Sequence, residues 1–374
     1  MVPSLSEMRD KSLGESGALR TVTTGHYTRK PTVTFGEHYR AERRGPGRNG
    51  PGNLPHFTVM RITVLAGGVG AARFLRGLLR AAPEAEITVI GNTGDDITLF
   101  GLRVCPDLDT VMYTLGGGIN EDQGWGRDAE TFSIRAELAA YGASPDWFTL
   151  GDKDFATHIR RSQLLADGQP LSAVTEALCR RWQPGVRLLP MSDDPVETHV
   201  VLAGSEGQRV VHFQEWWVHM HAATPAAQIV ASGAEQARPA PCVLDAIEAA
   251  DVVLFPPSNP VVSIGTILAV PGIRAAVAAK TVVGVSPIIG GSPVRGMADA
   301  CLAAIGVDTS AAAVAAHYGP ELIGGWLVDD EDKAAADDRA LAGIEVRVLP
   351  LLMRDLPATT AIARAALDLA LELK

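Results

Sequence analysis

Basic charge is in short supply in this chain. Its 33 Lys and Arg face 43 Asp and Glu over 374 residues, a formal net charge of -10. That balance excludes general binding to nucleic acid or to an anionic membrane surface, while leaving room for a local basic site for a nucleotide. Cysteine is scarce as well. Cys105, Cys179, Cys242 and Cys301 lie far apart with no Cys-x-x-Cys, so neither a zinc cage nor a disulfide framework is indicated. Buried thiols in a reducing cytoplasm are the expectation. No unbroken apolar run reaches the roughly 18 residues of a membrane-spanning helix, and the N-terminus lacks the apolar core of a secretory signal. A cytoplasmic protein without membrane partners is expected. With 47% hydrophobic and 20% charged residues, there is ample material for a large globular core.

The first 59 residues read differently from the rest. They are rich in Arg, Gly, Pro, Thr and His, hold nine Lys and Arg against five Asp and Glu, and show no sustained period. A polar segment with so little to bury is expected to be disordered. Met60 directly precedes the first convincing strand, so residues 1–59 read as an extension or as a start placed too far upstream. Residues 60–374 then form the working domain. From Arg61 the pattern is α/β. Ile62–Leu65 and Glu86–Gly91 predict strands flanking a helix at Ala71–Ala82, with Phe74, Leu75, Leu78 and Leu79 on one face. Such an order implies a parallel, right-handed crossover. Strands are predicted again at Asp251–Phe255, Lys280–Val285 and Glu345–Leu351, and helices at Ile264–Ala269 and Thr359–Leu373. The expected architecture is a Rossmann-like, mostly parallel sheet with helices on both faces. A less regular stretch, about 115–245, reads as a mixed α/β insertion with helices at Glu130–Tyr141, Asp154–Leu165 and Leu171–Trp182. Its strands are expected at Val186–Met191, His199–Leu202 and Val210–Phe213.

The chemistry concentrates after the first two strands. Ala66-Gly-Gly-Val-Gly-Ala-Ala-Arg73 is a glycine loop opening a helix, a place where backbone N–H groups and the helix dipole can hold phosphate. Arg73 stands where a dinucleotide-binding fingerprint requires its third glycine. An NAD(P) oxidoreductase is thereby the weaker reading. A cation in the first helical turn opposes the dipole, and a bound diphosphate would supply the reason for it. Four aspartates follow: Asp95 and Asp96 in Asn92-Thr-Gly-Asp-Asp, then Asp107 and Asp109 in Pro106-Asp-Leu-Asp-Thr. Clustered carboxylates repel unless a cation or proton neutralises them. Mg2+ commonly takes one or two carboxylates plus phosphate oxygens. Taken as an extended segment, 107–109 would turn Asp107 and Asp109 to the same side. Each Asp alone reads first as a turn or cap residue; grouped beside a glycine loop they favour a metal and a phosphate-bearing substrate.

Two further clusters are less specific. Asp154, His158 and Arg161 share a helix face at i, i+4, i+7, and by themselves read as an N-cap with a solvated face. Trp216 and Trp217 adjoin Phe213 and read as core before they read as a stacking surface.

Eight segments in order resemble the CofD/FbiA family: Ala66-Gly-Gly-Val-Gly, Asn92-Thr-Gly-Asp-Asp, Pro106-Asp-Leu-Asp-Thr, Gly124-Trp-Gly, Leu150-Gly-Asp-Lys-Asp-Phe-Ala-Thr-His158, Met191-Ser-Asp-Asp-Pro-Val-Glu-Thr198, Pro257-Ser-Asn-Pro-Val-Val-Ser-Ile264 and Ser286-Pro-Ile-Ile-Gly290. The resemblance runs from Met60 to the C-terminus and has no counterpart for residues 1–59.

It implies a Mg2+-dependent transferase of coenzyme F-420 biosynthesis. Such enzymes move a phospholactyl or phosphoenolpyruvyl group from a guanosine-diphosphate-linked donor to the terminal ribityl hydroxyl of the deazaflavin Fo, and GMP leaves. The Cys105–Gly118 segment is similar to the actinobacterial branch, which implies an enolpyruvyl-diphospho-guanosine donor, dehydro-F-420-0 as product, and a homodimer. By the resemblance Asp109 matches the acidic residue that contacts Fo, and Thr149 stands where some members place a Lys at the Fo site. Gly67, Gly68, Gly70, Arg73, Ser258 and Asn259 are the expected donor contacts. Asp95, Asp107 and Asp109 are the expected metal residues, and Asp109 or Asp96 the expected proton acceptor. A nucleotide-sugar-binding regulator similar to the YvcK group is the alternative of another class.

Overall fold

Alternate residues of the first strand enter two different cores. In β1 (Arg61–Ala66), Ile62, Val64 and Ala66 pack into one hydrophobic cluster and Leu65 into the other, as the two-residue repeat of a strand covered on both faces requires. This computed structural model describes residues 59–374, apart from 205–206 and the side chains of 203–207; the expectation for residues 1–59 therefore falls, but for Val59, outside the described residues.

β1 leads through the glycine loop into α1 (Gly68–Ala81) and then β2 (Glu86–Gly91). A hairpin follows, β3 (Ile97–Leu99) against β4 (Leu102–Val104), then α2 (Pro106–Leu115), α3 (Ser133–Ala140), α4 (Asp152–Ala166) and α5 (Leu171–Trp182). After β5 (Arg187–Pro190), the strands β6 (Glu197–Gly204), β7 (Gly207–His212) and β8 (Ala226–Ser232) form a separate antiparallel sheet in the order β7-β6-β8. β9 (Val252–Phe255), β10 (Val282–Val285), the short hairpin β11 (Ile288–Ile289) and β12 (Ser292–Pro293), β13 (Gly325–Val328), β14 (Glu345–Val348) and a closing helix α6 (Leu356–Glu372) complete the fold.

The central sheet has seven parallel strands in the order β14-β13-β10-β9-β1-β2-β5. α1, α2, α5 and α6 contribute to the core on one face; the helices Val243–Ala249, Ile273–Ala278 and Ala311–Tyr318 contribute to that on the other. The Rossmann-like, doubly covered α/β reading is thus what the molecule has. The chain runs outward from β1 to β2 and β5, then returns to the other side of β1 with β9. The strand order therefore reverses at β1, and in such sheets the crevice for ligands opens beyond the carboxyl ends of the strands at that point.

Several local expectations need correction. The hairpin Ile97–Leu99/Leu102–Val104 is not among the elements expected from the sequence. Ile264–Ala269 opens late, because the chain first makes a wide turn at Pro260–Gly265, where Ile264 N–H reaches back five residues to Asn259 O at 3.0 Å. Asn259 caps that turn through its side-chain oxygen, which accepts from Val261 and Val262 N–H. The strands at Ala226–Ser232 and Gly325–Val328 carry no clear period that announces them. β5, inside the 115–245 stretch, pairs with β2 and so belongs to the central sheet. Among the described residues no helix is long and apolar enough to cross a membrane.

Candidate active site

The loops that follow β1, β2, β9 and β10 surround a cavity of about 590 Å³. Gly67, Gly68, Gly70 and Arg73 line it from the first loop, Asp95 from the second, Ser258 and Asn259 from the third, and Asp107 from the start of α2. Thr149 lines it from another side, together with Trp147 and Phe148. Eleven residues were expected at the site from the sequence; nine of them, from Gly67 to Asn259 and 192 positions apart at the extremes, line this one crevice, while Asp96 and Asp109 lie outside its lining.

The glycine loop is shaped by contact. Ser258 Oγ donates to Gly67 O at 2.9 Å and ties the β1 loop to the β9 loop. A Cβ on Gly70 would stand 2.1 Å from Pro257 O, and one on Gly67 2.4 Å from Ser263 Cβ. Only hydrogen fits at either place. Gly68 adopts φ +70, a left-handed conformation that glycine enters without strain. α1 starts at Gly68, so Arg73 lies in the second turn rather than the first, and the dipole argument for a bound anion there loses force.

Asp95 and Asp107 form the acidic wall. Both are buried. Asn92 sits between them: its Nδ2 donates to Asp107 Oδ2 at 2.9 Å, with Asp95 Oδ1 at 3.3 Å and Val262 O at 3.2 Å. Its Oδ1 accepts from Gly94 N–H at 2.9 Å and closes the turn. Burial raises the Asp95 pKa well above the usual carboxylate range, and the Asp107 charge raises it further. Burial pushes Asp107 up to about 6, against the opposing pull of its bonds from Asn92 and from Gly68 N–H. One neutral amide cannot balance two carboxylates, so the pair calls for a proton or a cation. Among the described residues no group of three or more His, Cys, Asp or Glu is placed to hold a metal. Two carboxylates facing a phosphate-sized loop is instead the donor set that Mg2+ uses when the substrate completes its shell.

The pairing of Asp107 with Asp109 does not follow the extended-segment expectation. Pro106 opens α2, and both aspartates lie in its first turn, a placement that proline at N1 and acidic residues near the dipole both favour. Two residues apart on a helix point in different directions. Asp107 faces the cavity; Asp109 faces α4, where Arg161 grips it at two points, with Arg161 Nη1 donating to Asp109 Oδ2 at 3.0 Å. His158 Nδ1 lies 3.7 Å from the same oxygen. Burial pulls His158 down to about 4, partly offset by Asp109. The Asp154–His158–Arg161 face is therefore not solvated: all three are buried and turn inward.

Asp96 is also behind the wall. It is fully buried, with Arg103 Nη2 3.5 Å from its Oδ2. Burial pushes it up to about 7, against the opposing pull of Arg103. Arg103 continues to Glu197 at 3.2 Å, and His212 Nε2 donates to Asp96 O at 3.2 Å while its Nδ1 accepts from Gln214 N–H at 3.1 Å. This network ties the aspartate turn to the antiparallel sheet. The aromatic run divides: Trp216 and Phe213 are both buried in one core cluster, while Phe213 and Trp217 also line the cavity.

A family profile described as 2-phospho-L-lactate transferase CofD matches residues 62–348. The chain belongs to the CofD family. It is 70% identical over 323 residues to a Thermobifida fusca protein named phosphoenolpyruvate transferase, covering 84% of this chain and 99% of that protein. A Streptomyces griseus protein of the same name is 67% identical over 317 residues, 84% and 100% covered. One from Nocardia farcinica is 56% identical over 319 residues, 83% and 95% covered. This CofD-family chain is accordingly a transferase. Among solved structures, a UPF0052-family protein of Bacillus halodurans superposes with a TM-score of 0.55 at 16% identity, over 83% of this chain and 99% of its own, a likeness of fold.

The sequence did not announce the inward pairing of Arg161 with Asp109, the place of Arg295 in the cavity lining or the bridging role of Asn92. Asn92 stands in a quoted motif, but an Asn ending a strand reads as a turn residue. Nothing local marks Arg295 or its approach to the cavity.

Proposed function

We propose that this CofD-family transferase moves a phosphoenolpyruvyl or 2-phospholactyl group from a guanosine-diphosphate-linked donor to the ribityl hydroxyl of Fo, in coenzyme F-420 biosynthesis. The names of its relatives favour the phosphoenolpyruvyl group, hence enolpyruvyl-diphospho-guanosine as donor and dehydro-F-420-0 as product. The observation that carries the reading is the crevice itself: a glycine loop and a buried, uncompensated Asp95–Asp107 pair face one another at the point where the sheet order reverses.

In this reading the Fo hydroxyl oxygen attacks the phosphorus that bears the three-carbon group. The bond from that phosphorus to the bridging oxygen breaks, GMP leaves with the electron pair, and the hydroxyl proton passes to solvent water. Gly67, Gly68 and Gly70, with Ser258 and Asn259 behind them, shape the diphosphate seat. Asp95 and Asp107 would hold Mg2+, which supplies charge neutralisation for the diphosphate, the effect that such transfers chiefly need beside alignment. Thr149, with Trp147 and Phe148, forms the wall for the deazaflavin. Asp109, bound to Arg161, and Asp96, paired with Arg103, stand behind the wall and fix α2 and the aspartate turn. In this reading the protein is a homodimer in the cytoplasm; sedimentation of the purified protein checks the dimer.

The test is to combine the purified protein, Fo, Mg2+ and each purified donor, then follow GMP by chromatography and the deazaflavin product by mass spectrometry. GMP release coupled to a new charged deazaflavin is expected. Binding without turnover for either donor would instead place the chain among nucleotide-binding regulators.

A further inference from the structure

Two arginines with no carboxylate partner among the described residues converge on one point of the cavity. Arg73 projects from α1 and Arg295 from the segment after β12; both line the cavity, and neither takes part in a salt bridge there. Between them passes the Asn120–Gly126 strap. Its turn is closed by Gly124 N–H donating to Asn120 O at 2.7 Å, and Arg295 Nη2 donates to Gln123 O. Gly124 has φ +72, and a Cβ there would lie 3.0 Å from Arg295 Nη1 and 3.5 Å from Arg73 Nη2. Two guanidinium groups thus approach the same point beside Gly124, which Val69 Cγ1, 2.7 Å from that Cβ position, also crowds, so that only glycine fits the strap there. Burial lowers the Arg295 pKa, and the nearby Arg73 charge lowers it further. Like charges this close are unfavourable unless an anion joins them, and a planar guanidinium fork suits an oxyanion, carboxylate above all.

The cavity lining therefore carries both carboxylates, Asp95 and Asp107, and guanidinium groups, Arg73 and Arg295. We propose that Arg73 and Arg295 form a clamp for the free carboxylate of the three-carbon group that the enzyme transfers. The inference rests on the donor assignment made above. That group carries a carboxylate beyond its phosphate; in this proposal the phosphate points toward the glycine loop and the metal residues and the carboxylate toward the clamp. Arg295 is then a specificity-determining residue, selecting acids over neutral three-carbon arms, and Arg73 serves the carboxylate rather than the diphosphate.

Titration calorimetry with two probes, phosphoenolpyruvate and GDP, on wild-type protein, Arg295→Ala and Arg295→Lys tests the clamp. Phosphoenolpyruvate has both the phosphate and the carboxylate; GDP has guanosine and the diphosphate but no carboxylate. Loss of charge-assisted bonds predicts that Arg295→Ala weakens phosphoenolpyruvate binding by about tenfold to a hundredfold while GDP affinity stays within about twofold. Arg295→Lys, which keeps the charge but not the fork, falls between. Retained GDP binding also reports that the variant is folded. Equal losses for both probes would mean that the arginines hold the diphosphate. No loss for either, or no measurable phosphoenolpyruvate binding by the wild type, would overturn the clamp outright. GMP release by the wild type is measured separately, so a failure of the transfer reading leaves the binding result standing.

Discussion

Arg161 and Asp109 form a two-point ion pair that is buried on both sides, with 2% and 7% of their side chains exposed. The pair joins α4 to the first turn of α2 directly behind Asp107. Its charge balance explains why Asp109, unlike its neighbour, needs no cation. Removing one partner leaves the other charge buried alone, so Arg161→Ala is expected to lower unfolding stability by about 3–5 kcal/mol. Urea unfolding measures it, and a loss under about 1 kcal/mol, typical of exposed pairs, would contradict a buried pair.

Asn92 supports the acidic wall from within. Partners of metal-binding carboxylates commonly contribute about tenfold to a hundredfold in metal affinity. Asn92→Ala should raise the Mg2+ concentration for half-maximal turnover by that factor, with Asp107→Asn at least as severe. An unchanged Mg2+ requirement in Asp107→Asn would remove Asp107 from the metal site.

The raised carboxyls set a pH dependence. The unfolded Asp107 ionises near 3.8 and the folded one near 6, and Asp95 shifts the same way. The folded state then binds more protons across that window, so this contribution to stability is present below about pH 4 and lost as pH rises through about 6. A cation must displace those protons. Added Mg2+ should therefore raise the thermal midpoint of the wild-type protein more at pH 8 than at pH 5. A shift that is equal at both pH values, or absent, speaks against the Asp95–Asp107 site.

Gly70 admits no side chain, because its missing Cβ position coincides with a backbone carbonyl, Pro257 O at 2.1 Å, and neither helix nor loop can yield locally. Gly70→Ala is expected to cost about 1–3 kcal/mol through overpacking and to reduce turnover by at least about a hundredfold through misplacement of the glycine loop. Calorimetric melting and steady-state kinetics on the same sample separate the two. Wild-type values in both would mean that the loop does not pack as described.

The amino-acid sequence by itself determined the parallel α/β fold, the glycine loop, the acidic character of the site and the family. Those follow from local pattern: β-branched runs of strand length, a glycine cluster that only a close approach explains, and eight motifs in order. It also placed α5 at Leu171–Trp182 and β2 at Glu86–Gly91, where apolar spacing and flanking breakers agree. The tertiary structure decided which aspartates act together. Asp107 and Asp109 are two residues apart, but Pro106 starts a helix there, and a helix sends such neighbours to different sides. Whether a charge faces solvent, a cavity or a partner depends on segments far away in the chain. Arg161 meets Asp109 across 52 residues, Ser258 meets Gly67 across 191, and Arg295 meets Arg73 only because a strap with glycine at 124 leaves room for both.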